Sequence, residues 1–511
     1  MRSYQKEDIV AIYSALIKSA HRYSDKGKWS KALTDLESAA AWAYAFNWMY
    51  TDRDADSLLK SIAVKTIPQS EINNVVPRRC VLVDSFCMDN KGLTQQYMRA
   101  MIHNQMEILY VCTSRSLSNG PEILKEIRDY PKAELLLFDK TDGDRVKMAS
   151  QIAQVIKDYS PSSIFLHIAP WDTVALMACC SVKGAPVYNI NLTDHAYWMG
   201  ASFLDYNLEF RPYGMTVSLE KRGLRKEQLL PLPFYSIKPL SQVFIGFPPM
   251  PEKAVKIFTG GALYKMLGKN DVFFHMMERL LAISPDVYIL VAGFEYSKLF
   301  YEKCAQMTNH NRIIQIGVRR DIDAVFENCD IYLSTYPISG GLMTQYAASH
   351  AKPIVAYRTK DDTENAIEEL LNHYQKEFHS FTDMDEMCEY AKQLVMDVKY
   401  RQDEGRILQE GMMTSERFAD AFSQLIASGQ SQWNWTKDQI DYDAFTNHYI
   451  DLENQNGFPA TLHLVKEQKL SLYSKLPGYR ANVVYAMFEI LRNLSFRSHF
   501  YTFIRKNVRI K

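Results

Sequence analysis

The sequence lacks long apolar runs and paired cysteine motifs. Its eight cysteines include no CxxC pair and no zinc-ligand spacing, which indicates reduced, mostly buried thiols and a cytoplasmic chain. The longest uncharged apolar stretches, such as residues 173–182, are well short of the roughly 18 to 20 residues that a membrane span needs. The first residues contain no apolar segment, so we expect no secretory signal.

The chain also lacks net charge, because its 59 basic and 59 acidic residues cancel. A general electrostatic attraction for nucleic acid is therefore not expected, and we predict no nucleic-acid partner. No G-x-G-x-x-G motif follows the apolar run 81–84, which argues against a nicotinamide dehydrogenase. With 511 residues, 47% of them hydrophobic, the chain is long enough for two or more domains.

Residue patterns divide the chain into four segments. Residues 1–66 are helical by pattern, with a turn at 25–28 between two amphipathic stretches. The second stretch is like half of a tetratricopeptide hairpin, but one hairpin is not an array. This segment is therefore either a helical cap packed on the next domain or a partner-docking module.

Residues 67–240 and 241–430 each alternate short apolar runs with helical stretches, which is the rhythm of βαβ units on a parallel sheet. A proline-rich stretch at 246–251 marks the linker between them. Residues 431–511 form an aromatic-rich and then basic extension. The prediction is an α/β fold with two Rossmann-like, doubly wound domains and helical extensions at both ends. Ligands in such sheets bind at the carboxyl ends of the strands, so a cleft between the domains is the expected site.

A glycine pair stands out in the second of these domains. Gly340 and Gly341 follow the apolar strand 330–336 and open a helix that ends before residue 351. Backbone N–H groups and the positive end of the helix dipole then meet at one point, which suits a phosphate. The alternative is a tight strand-to-helix turn, because glycine serves turns for purely steric reasons.

Two stretches carry a family resemblance. Residues 258–271, FTGGALYKMLGKND, have the form of a strand followed by glycines and spaced basic residues. Residues 316–355 add IGVRR, then DIYLSTYP, the glycine pair and AKPIV, in that order. Together they resemble the GT-B glycosyltransferases, in particular the bacterial group 1 enzymes, with some likeness to the O-GlcNAc transferase branch. The resemblance implies transfer of a sugar from a nucleotide-sugar to an acceptor hydroxyl in surface polysaccharide or glycoconjugate synthesis. The expected donor is a UDP-sugar.

The donor site follows from the charge that such a reaction creates. The leaving nucleoside diphosphate gathers negative charge, which N–H groups and cations can stabilise without a metal. This assigns the donor phosphates to Gly260, Gly261, Lys265, Lys269, Gly340 and Gly341. By resemblance, Val318 and Arg319 lie against the nucleobase. Gln345 occupies a position where many relatives carry a ribose-binding acid, and the missing acid pair leaves retention or inversion open.

Loops of the first domain supply the acceptor side. Asn90, Lys91 and Gly92 precede a helix, and His167 ends the fourth strand, where a structural role is the alternative. The stretch 191–200, NLTDHAYWMG, resembles a loop of some group 1 enzymes. Its Asp194 and His195 can position a sugar hydroxyl or accept its proton, so we predict that they are catalytic.

Acidic clusters at 52–56, 142–144 and 321–323 lie at helix starts or turns, where acids are favoured in any case. We therefore predict no metal and no cofactor, since the nucleotide-sugar is a substrate. The expected partners are that donor and a glycan, lipid-linked or protein acceptor. A sugar-nucleotide epimerase of the same fold and a non-catalytic helical-repeat scaffold are the alternatives.

The end of the chain is basic. Between 475 and 511 there are eight lysines and arginines against one acid, Glu489, and apolar residues fall at helical spacing. This pattern predicts either an amphipathic helix on an anionic membrane surface or a helix packed on the protein body. The first alternative would make the chain peripheral at the inner face of a membrane.

Overall fold

The structure is a computed structural model that describes residues 2–90, 92–113, 117–138, 144–237, 243–360, 362, 365–374, 378–455, 461–462 and 480–493. The β-strands, in chain order, are β1 Ser70–Glu71, β2 Val76–Asp84, β3 Glu107–Cys112, β4 Ala133–Leu137, β5 Pro161–His167, β6 Val182–Lys183, β7 Val187–Ile190, β8 Tyr206–Glu209, β9 Leu229–Pro231, β10 Val255–Gly260, β11 Val287–Ala292, β12 Ile313–Gly317, β13 Ile331–Leu333 and β14 Ile354–Val355.

The α-helices are α1 Lys6–Asp25, α2 Trp29–Phe46, α3 Arg53–Thr66, α4 Thr94–His103, α5 Pro121–Asp129, α6 Arg145–Tyr159, α7 Thr173–Cys180, α8 Pro212–Glu220, α9 Val272–Ile283, α10 Lys298–Cys304, α11 Ile322–Asn328, α12 Gly341–Ser349, α13 Met384–Met396, α14 Val398–Gly411, α15 Ser415–Ser428, α16 Tyr442–Gln455 and α17 Arg480–Asn493.

Two parallel sheets form the centres of the described structure. The first has seven strands in the order β4-β3-β2-β5-β7-β8-β9, and the second has five in the order β12-β11-β10-β13-β14. In each sheet the strand order reverses once, between β2 and β5 and between β10 and β13, so that the loops after these strands diverge and leave a crevice. The predicted fold class, two Rossmann-like doubly wound domains with helical extensions, is confirmed.

Most strands follow the predicted apolar runs. Residues 80–84 at the end of β2 are all buried, as parallel sheets with helices on both faces require. The strands β8 and β9, which widen the first sheet, were not predicted. They are short, and β8 carries the buried polar residues Asn207 and Glu209, so no apolar run marks it.

The N-terminal helices pack on the first domain. The helices α1 and α2 form a hairpin around the predicted turn, and the fully buried Trp42 donates from Nε1 to the carbonyl of Ile9 at 3.1 Å. Apolar side chains of α1, α2 and α3 share one core with the first sheet and with α6 and α7. The described part of this segment thus packs on the first domain, and a role in partner docking stays a prediction.

The chain returns to the first domain after the second. Helix α15 lies against α4, where the ring of Tyr97 meets Phe418 edge-on at 5.2 Å and Asn104 Nδ2 donates to the carbonyl of Ala419 at 3.0 Å. The segment 241–430 therefore begins in the second sheet and ends on the first domain. Helix α16 then docks on the N-terminal cap, because Tyr4 and Asn454 exchange two hydrogen bonds, at 2.7 and 2.9 Å.

Part of the basic tail is described. Asn482 of α17 exchanges two hydrogen bonds with the backbone of Arg2, at 3.1 and 2.8 Å, and Ala486 is fully buried, whereas Phe488 is 66% exposed. One face of this helix thus packs on the body. Residues 475–479 and 494–511 lie outside the described residues, so the membrane-surface alternative stays a prediction. In the described ranges, no helix combines the length and the apolar character that crossing a membrane requires.

Candidate functional site

A cavity of about 230 Å³ lies where the two crevices face each other. The first domain lines it with Gly92, Leu93, Leu192, Asp194, His195, Phe210, Arg211 and Phe234, and the second domain with Tyr264, Lys265, Ile338, Ser339, Gly341, Leu342, Asn365 and Leu370. The fold therefore brings together five residues that the sequence analysis placed in one site: Gly92, Asp194, His195, Lys265 and Gly341.

Asp194 is a buried carboxylate, 1% exposed, in the loop after β7. The Arg211 guanidinium, also buried, donates to it from Nε and from Nη2, the latter at 3.2 Å. Burial would raise the pKa of Asp194, but the Arg211 charge and the His195 hydrogen bond hold that pKa well below its usual range. Asp194 is therefore ionised at neutral pH.

His195 lies between this carboxylate and the cavity. Its Nδ1 is 3.2 Å from Oδ1 of Asp194, and its side chain is 35% exposed. An ionised carboxylate accepts only, so it selects the tautomer with the proton on Nδ1 and leaves Nε2 as the basic nitrogen. The pair has the form of a histidine general base oriented by a buried acid.

A second arginine holds the loop that carries this pair. Arg222 of the segment after α8 is buried, and its Nη2 donates to the carbonyls of Asp194 at 2.8 Å and Ala196 at 2.7 Å. Its guanidinium also lies over the ring of Trp198, 4.9 Å from the centroid. Sequence reasoning missed Arg211 and Arg222, because no local pattern joins them to a loop 17 or more residues away.

Helix α8 approaches Asp194 closely. A Cβ at Gly214 would lie 2.7 Å from the Asp194 Cβ and 2.8 Å from Oε2 of Glu209, so only glycine fits there. Glu209 is itself fully buried, and it accepts from Asn191 at 2.8 Å and from Asn207 at 2.6 Å. Burial raises the pKa of Glu209 to about 7.

The second domain presents the N-terminus of α12 to the cavity. Gly340 is the N-cap with φ −97°, and Gly341 begins the helix. Neither residue has a positive φ, so the left-handed backbone that makes glycine necessary in many turns does not occur here. No side chain in the described part of the chain caps this end, which leaves backbone N–H groups and the helix dipole directed at the cavity.

Lys265 lies beside this helix end. It follows β10 in a short turn, and its Nζ donates to the carbonyl of Ser339, next to the glycine pair, at 3.2 Å. Within the described residues no carboxylate forms an ion pair with it. Burial lowers the pKa of Lys265 to about 8. A cation and a helix N-terminus thus border the same space, an arrangement that suits a phosphate or diphosphate.

Asn365 supports the turn before α12. Its Oδ1 accepts from the backbone N–H of Ser339 at 2.8 Å, and its Nδ2 donates to the carbonyl of Pro337. No local sequence pattern predicts this contact, since Asn365 lies 26 residues from the turn that it holds.

Glycines cluster at the ends of the neighbouring strands. Gly293, after β11, has φ +108°, and a Cβ there would lie 2.4 Å from the carbonyl oxygen of Gly261. A Cβ at Gly260 would lie 2.9 Å from Cε of Met343 in α12. Gly260 and Gly293 therefore permit close packing at the strand ends, whereas a Cβ at Gly261 would meet its nearest atom, Cδ of Lys265, at 3.4 Å. Gly293 was missed, although an isolated glycine directly after an apolar run is the signal for it.

Comparison with solved structures identifies the architecture. A mutant of the O-GlcNAc transferase of Thermobaculum terrenum superposes with a TM-score of 0.52 at 13% identity, over 83% of this chain and 81% of that chain. The chain has the GT-B fold. The resemblance to GT-B glycosyltransferases is thereby confirmed at the level of the fold.

Two further solved structures match over shorter parts of this chain. Anabaena HepE, solved with UDP and glucose, has a TM-score of 0.47 at 13% identity and covers 68% of this chain and 99% of its own. A UDP-N-acetylglucosamine 2-epimerase has a TM-score of 0.44 at 11% identity and covers 71% and 99%. No protein-family model matches the sequence, and no curated protein matches it.

Six described residues of the predicted donor site do not line the cavity: Gly260, Gly261, Val318, Arg319, Gly340 and Gln345. Gln345 is fully buried, and its Nε2 donates to the carbonyls of Phe234 at 3.0 Å and Leu370 at 3.2 Å. Arg319 is paired with Asp321, with its Nε 2.7 Å from Oδ1, and Val318 is 55% exposed. The nucleobase and ribose roles of these residues stay predictions.

The residues predicted to act in the first domain also divide into cavity-lining and supporting ones. His167 is fully buried and does not line the cavity. Its Nδ1 lies 3.0 Å from Oδ1 of Asp84, and its Nε2 accepts from the Leu93 N–H at 3.2 Å. Burial would raise the pKa of Asp84, but its hydrogen bonds, that from His167 first, hold it below the usual value. Gly92, with φ +72°, packs on His167, where a Cβ would lie 3.1 Å from Cε1. His167 therefore supports the loop rather than facing the cavity.

The remaining predicted site residues are Asn90, Lys91 and Lys269. The Asn90 N–H donates to Oε1 of Gln95 at 2.7 Å, and Asn90 does not line the cavity. Lys91 and the side chain of Lys269 lie outside the described residues.

One group of described side chains has the character of a metal site. Asp323, Glu327 and His350 place ligand atoms within 4.8 Å of one another, and His350 Nε2 lies 2.9 Å from Oδ1 of Asp323. None of these three residues lines the cavity between the two domains. Metal independence of the reaction stays a prediction.

Proposed function

We propose that this chain is a glycosyltransferase that moves a sugar from a nucleotide-sugar, a UDP-sugar above others, to an acceptor hydroxyl. One observation carries the proposal: a single cavity joins a surface suited to a diphosphate, formed by Lys265 and the N-terminus of α12, to the Asp194–His195 pair. The GT-B fold supports it, since this fold places donor and acceptor on opposite domains of one cleft.

The proposed reaction uses each part of the cavity. The N–H groups of α12 and the Lys265 ammonium stabilise the negative charge that grows on the leaving diphosphate as its bond to the anomeric carbon breaks. The acceptor oxygen forms the new bond to that carbon, and its proton passes to Nε2 of His195. Asp194, ionised through Arg211, stabilises the resulting imidazolium.

The acceptor belongs to surface polysaccharide or glycoconjugate synthesis in this proposal. An epimerase of the same fold would also bind a nucleotide-sugar, but it would release an epimerised sugar without any acceptor. Analysis of the sugar products separates the two reactions.

Calorimetric titration with UDP tests the donor half. We expect Lys265→Met to weaken binding by about tenfold or more, because one charge-assisted phosphate contact is lost. Lys253→Met is the matched control, since Lys253 is a lysine of the same domain whose side chain is 77% exposed. Equal affinity of Lys265→Met and the parent would refute the assignment.

The pH dependence of UDP binding sharpens this test. With a Lys265 pKa of about 8, the ammonium is lost as the pH rises above that value, so UDP affinity should fall between about pH 8 and pH 10. Arginine stays protonated in this range, and Lys265→Arg should therefore show a flatter profile.

His195→Ala tests the acceptor half. We expect UDP affinity to stay at the parent value and sugar transfer to fall by about 100-fold or more, since general base catalysis typically contributes that much. Transfer at the parent rate would remove His195 from the mechanism.

A further inference from the structure

One wall of the cavity comes from neither Rossmann-like domain. Tyr44 of α2 and Phe445 and Tyr449 of α16 also line it, so the N-terminal cap and the C-terminal extension both reach the site. The Phe445 ring meets the His195 ring edge-on at 6.4 Å, and the Tyr449 ring lies 5.0 Å from Phe445. We call these three side chains the aromatic wall.

The aromatic wall is held in place from behind. Thr446, next to Phe445, donates from Oγ1 to the carbonyl of Asn47 at 3.0 Å, which ties α16 to the end of α2. Tyr44 packs edge-on against Trp171 of the first domain at 5.4 Å. Phe445 is only 4% exposed. Such a surface is built before any ligand binds, and preorganisation of this kind lowers the cost of binding.

The wall lies on the acceptor side of the cavity. It adjoins His195, whereas Lys265 and the start of α12 belong to the second domain. The donor diphosphate of the proposed function therefore has its partners in the second domain, and the aromatic wall borders the space where the acceptor hydroxyl must meet Nε2 of His195.

Size and chemistry define the ligand. The cavity volume of about 230 Å³ is below the roughly 300 to 1,000 Å³ typical of pockets for drug-sized ligands, and Lys265 and the start of α12 border part of the same space, so the wall faces room for no more than one small ring. A pyranose ring presents C–H groups on its faces and hydroxyls at its edge. Aromatic rings pack against the C–H faces, while His195 and the neighbouring polar groups bind the hydroxyls.

Resting on the proposed function, we propose that Tyr44, Phe445 and Tyr449 form an acceptor subsite for one pyranose ring of a glycan. The aromatic wall orients that ring so that one of its hydroxyls faces His195. The wall thus determines acceptor class, and a peptide acceptor is the competing outcome.

Saturation-transfer NMR on the full chain in the presence of UDP tests this subsite. The probes are methyl β-D-glucopyranoside, methyl β-D-galactopyranoside, methyl α-D-mannopyranoside, methyl N-acetyl-β-D-glucosaminide and an acetylated serine peptide. We expect saturation of the ring C–H protons of at least one glycoside and none of the peptide. Absence of signal from every glycoside, or signal from the peptide alone, overturns the proposal.

Variants connect the signal to the wall. Phe445→Leu keeps an apolar side chain without the ring, and Tyr44→Ala removes the second ring; each should weaken glycoside binding by roughly tenfold, as loss of a buried aromatic contact does. Asn447→Ala is the control, because Asn447 is exposed on the same helix and does not line the cavity. Glycoside binding that persists unchanged in Phe445→Leu and in Tyr44→Ala overturns the proposal.

UDP calorimetry on the same samples separates the two proposals. The wall variants should bind UDP as the parent does, which also shows that they are folded. Loss of glycoside binding with intact UDP binding supports the subsite. If the parent binds no UDP, the proposed function fails whatever the glycosides do.

Discussion

Asp194 and Arg211 form a buried ion pair at the centre of the cleft. Nη2 of Arg211 lies 3.2 Å from Oδ1 of Asp194, Nε contacts the second carboxylate oxygen, and the guanidinium lies 4.7 Å from the centroid of the Tyr213 ring. Both side chains are at least nine-tenths buried. The arrangement holds an ionised carboxylate behind His195, which a solvent-exposed aspartate would do less rigidly.

Removing the cation should destabilise the fold. Arg211→Met leaves the buried Asp194 charge without its partner, and breaking such a pair costs about 3 to 5 kcal/mol. Urea unfolding measures the loss. The double variant Arg211→Met with Asp194→Asn removes both charges and should recover part of it. A loss below about 1 kcal/mol for the single variant would show that the pair contributes little.

Glu209 predicts a specific pH dependence of stability. Burial raises its pKa from 4.5 to about 7, so the folded chain binds one more proton than the unfolded chain between these values. The free energy of unfolding should therefore fall as the pH rises from about 4.5 to 7 on account of this group. Glu209→Gln removes that contribution.

The measurement is urea unfolding of both proteins at several pH values from about 5 to 8. The difference in unfolding free energy, variant minus parent, should increase with pH over this range. A constant difference would place the Glu209 pKa near its ordinary value and contradict the prediction.

Gly293 should tolerate no side chain. Its φ is +108°, and a Cβ would lie 2.4 Å from the carbonyl oxygen of Gly261, so Gly293→Ala should destabilise by more than about 1 kcal/mol and disturb the loop after β10. Gly429→Ala is the matched control, because Gly429 has φ +69° but no atom within 4 Å of its Cβ position. Equal losses in the two variants would mean that backbone strain, and not the contact with Gly261, decides the cost.

Gln345 distinguishes a structural role from ribose binding. Its Nε2 bonds to the carbonyls of Phe234 and Leu370, so Gln345→Ala should cost about 1 to 3 kcal/mol of stability for each buried carbonyl left unpaired. The ratio of UDP affinity to 2′-deoxy-UDP affinity should stay at the parent value. A ratio that falls to one in the variant would instead assign Gln345 to the ribose.

Particular elements show how far sequence patterns reach. The strands β3 and β11 are short apolar runs of the kind from which the sequence predicts strands, because such runs are favoured in a parallel sheet that is covered on both faces. The strand β8 has no such run. It pairs with β7, and the side-chain amide of Asn189 donates to that of Asn207 at 2.7 Å. No apolar periodicity in the sequence predicts this contact.

The candidate site shows the same division. The glycine pair and Lys265 were recognisable, since glycines and a lysine after a strand are local signals. Phe445 and Tyr44 were not, because they lie 401 residues apart and face one cavity only after α16 returns to the N-terminal cap.

The sequence alone determined that the chain folds as two doubly wound α/β domains, and it located the loops at the ends of their strands. Apolar periodicity and glycine placement are local properties, and they act before any long-range contact forms. Tertiary structure decided which of those loops meet, that His167 is buried support while His195 faces the cavity, and that both extensions line it. The contribution of the C-terminal extension depends on how α16 packs on the N-terminal cap, and that packing involves partners hundreds of residues apart.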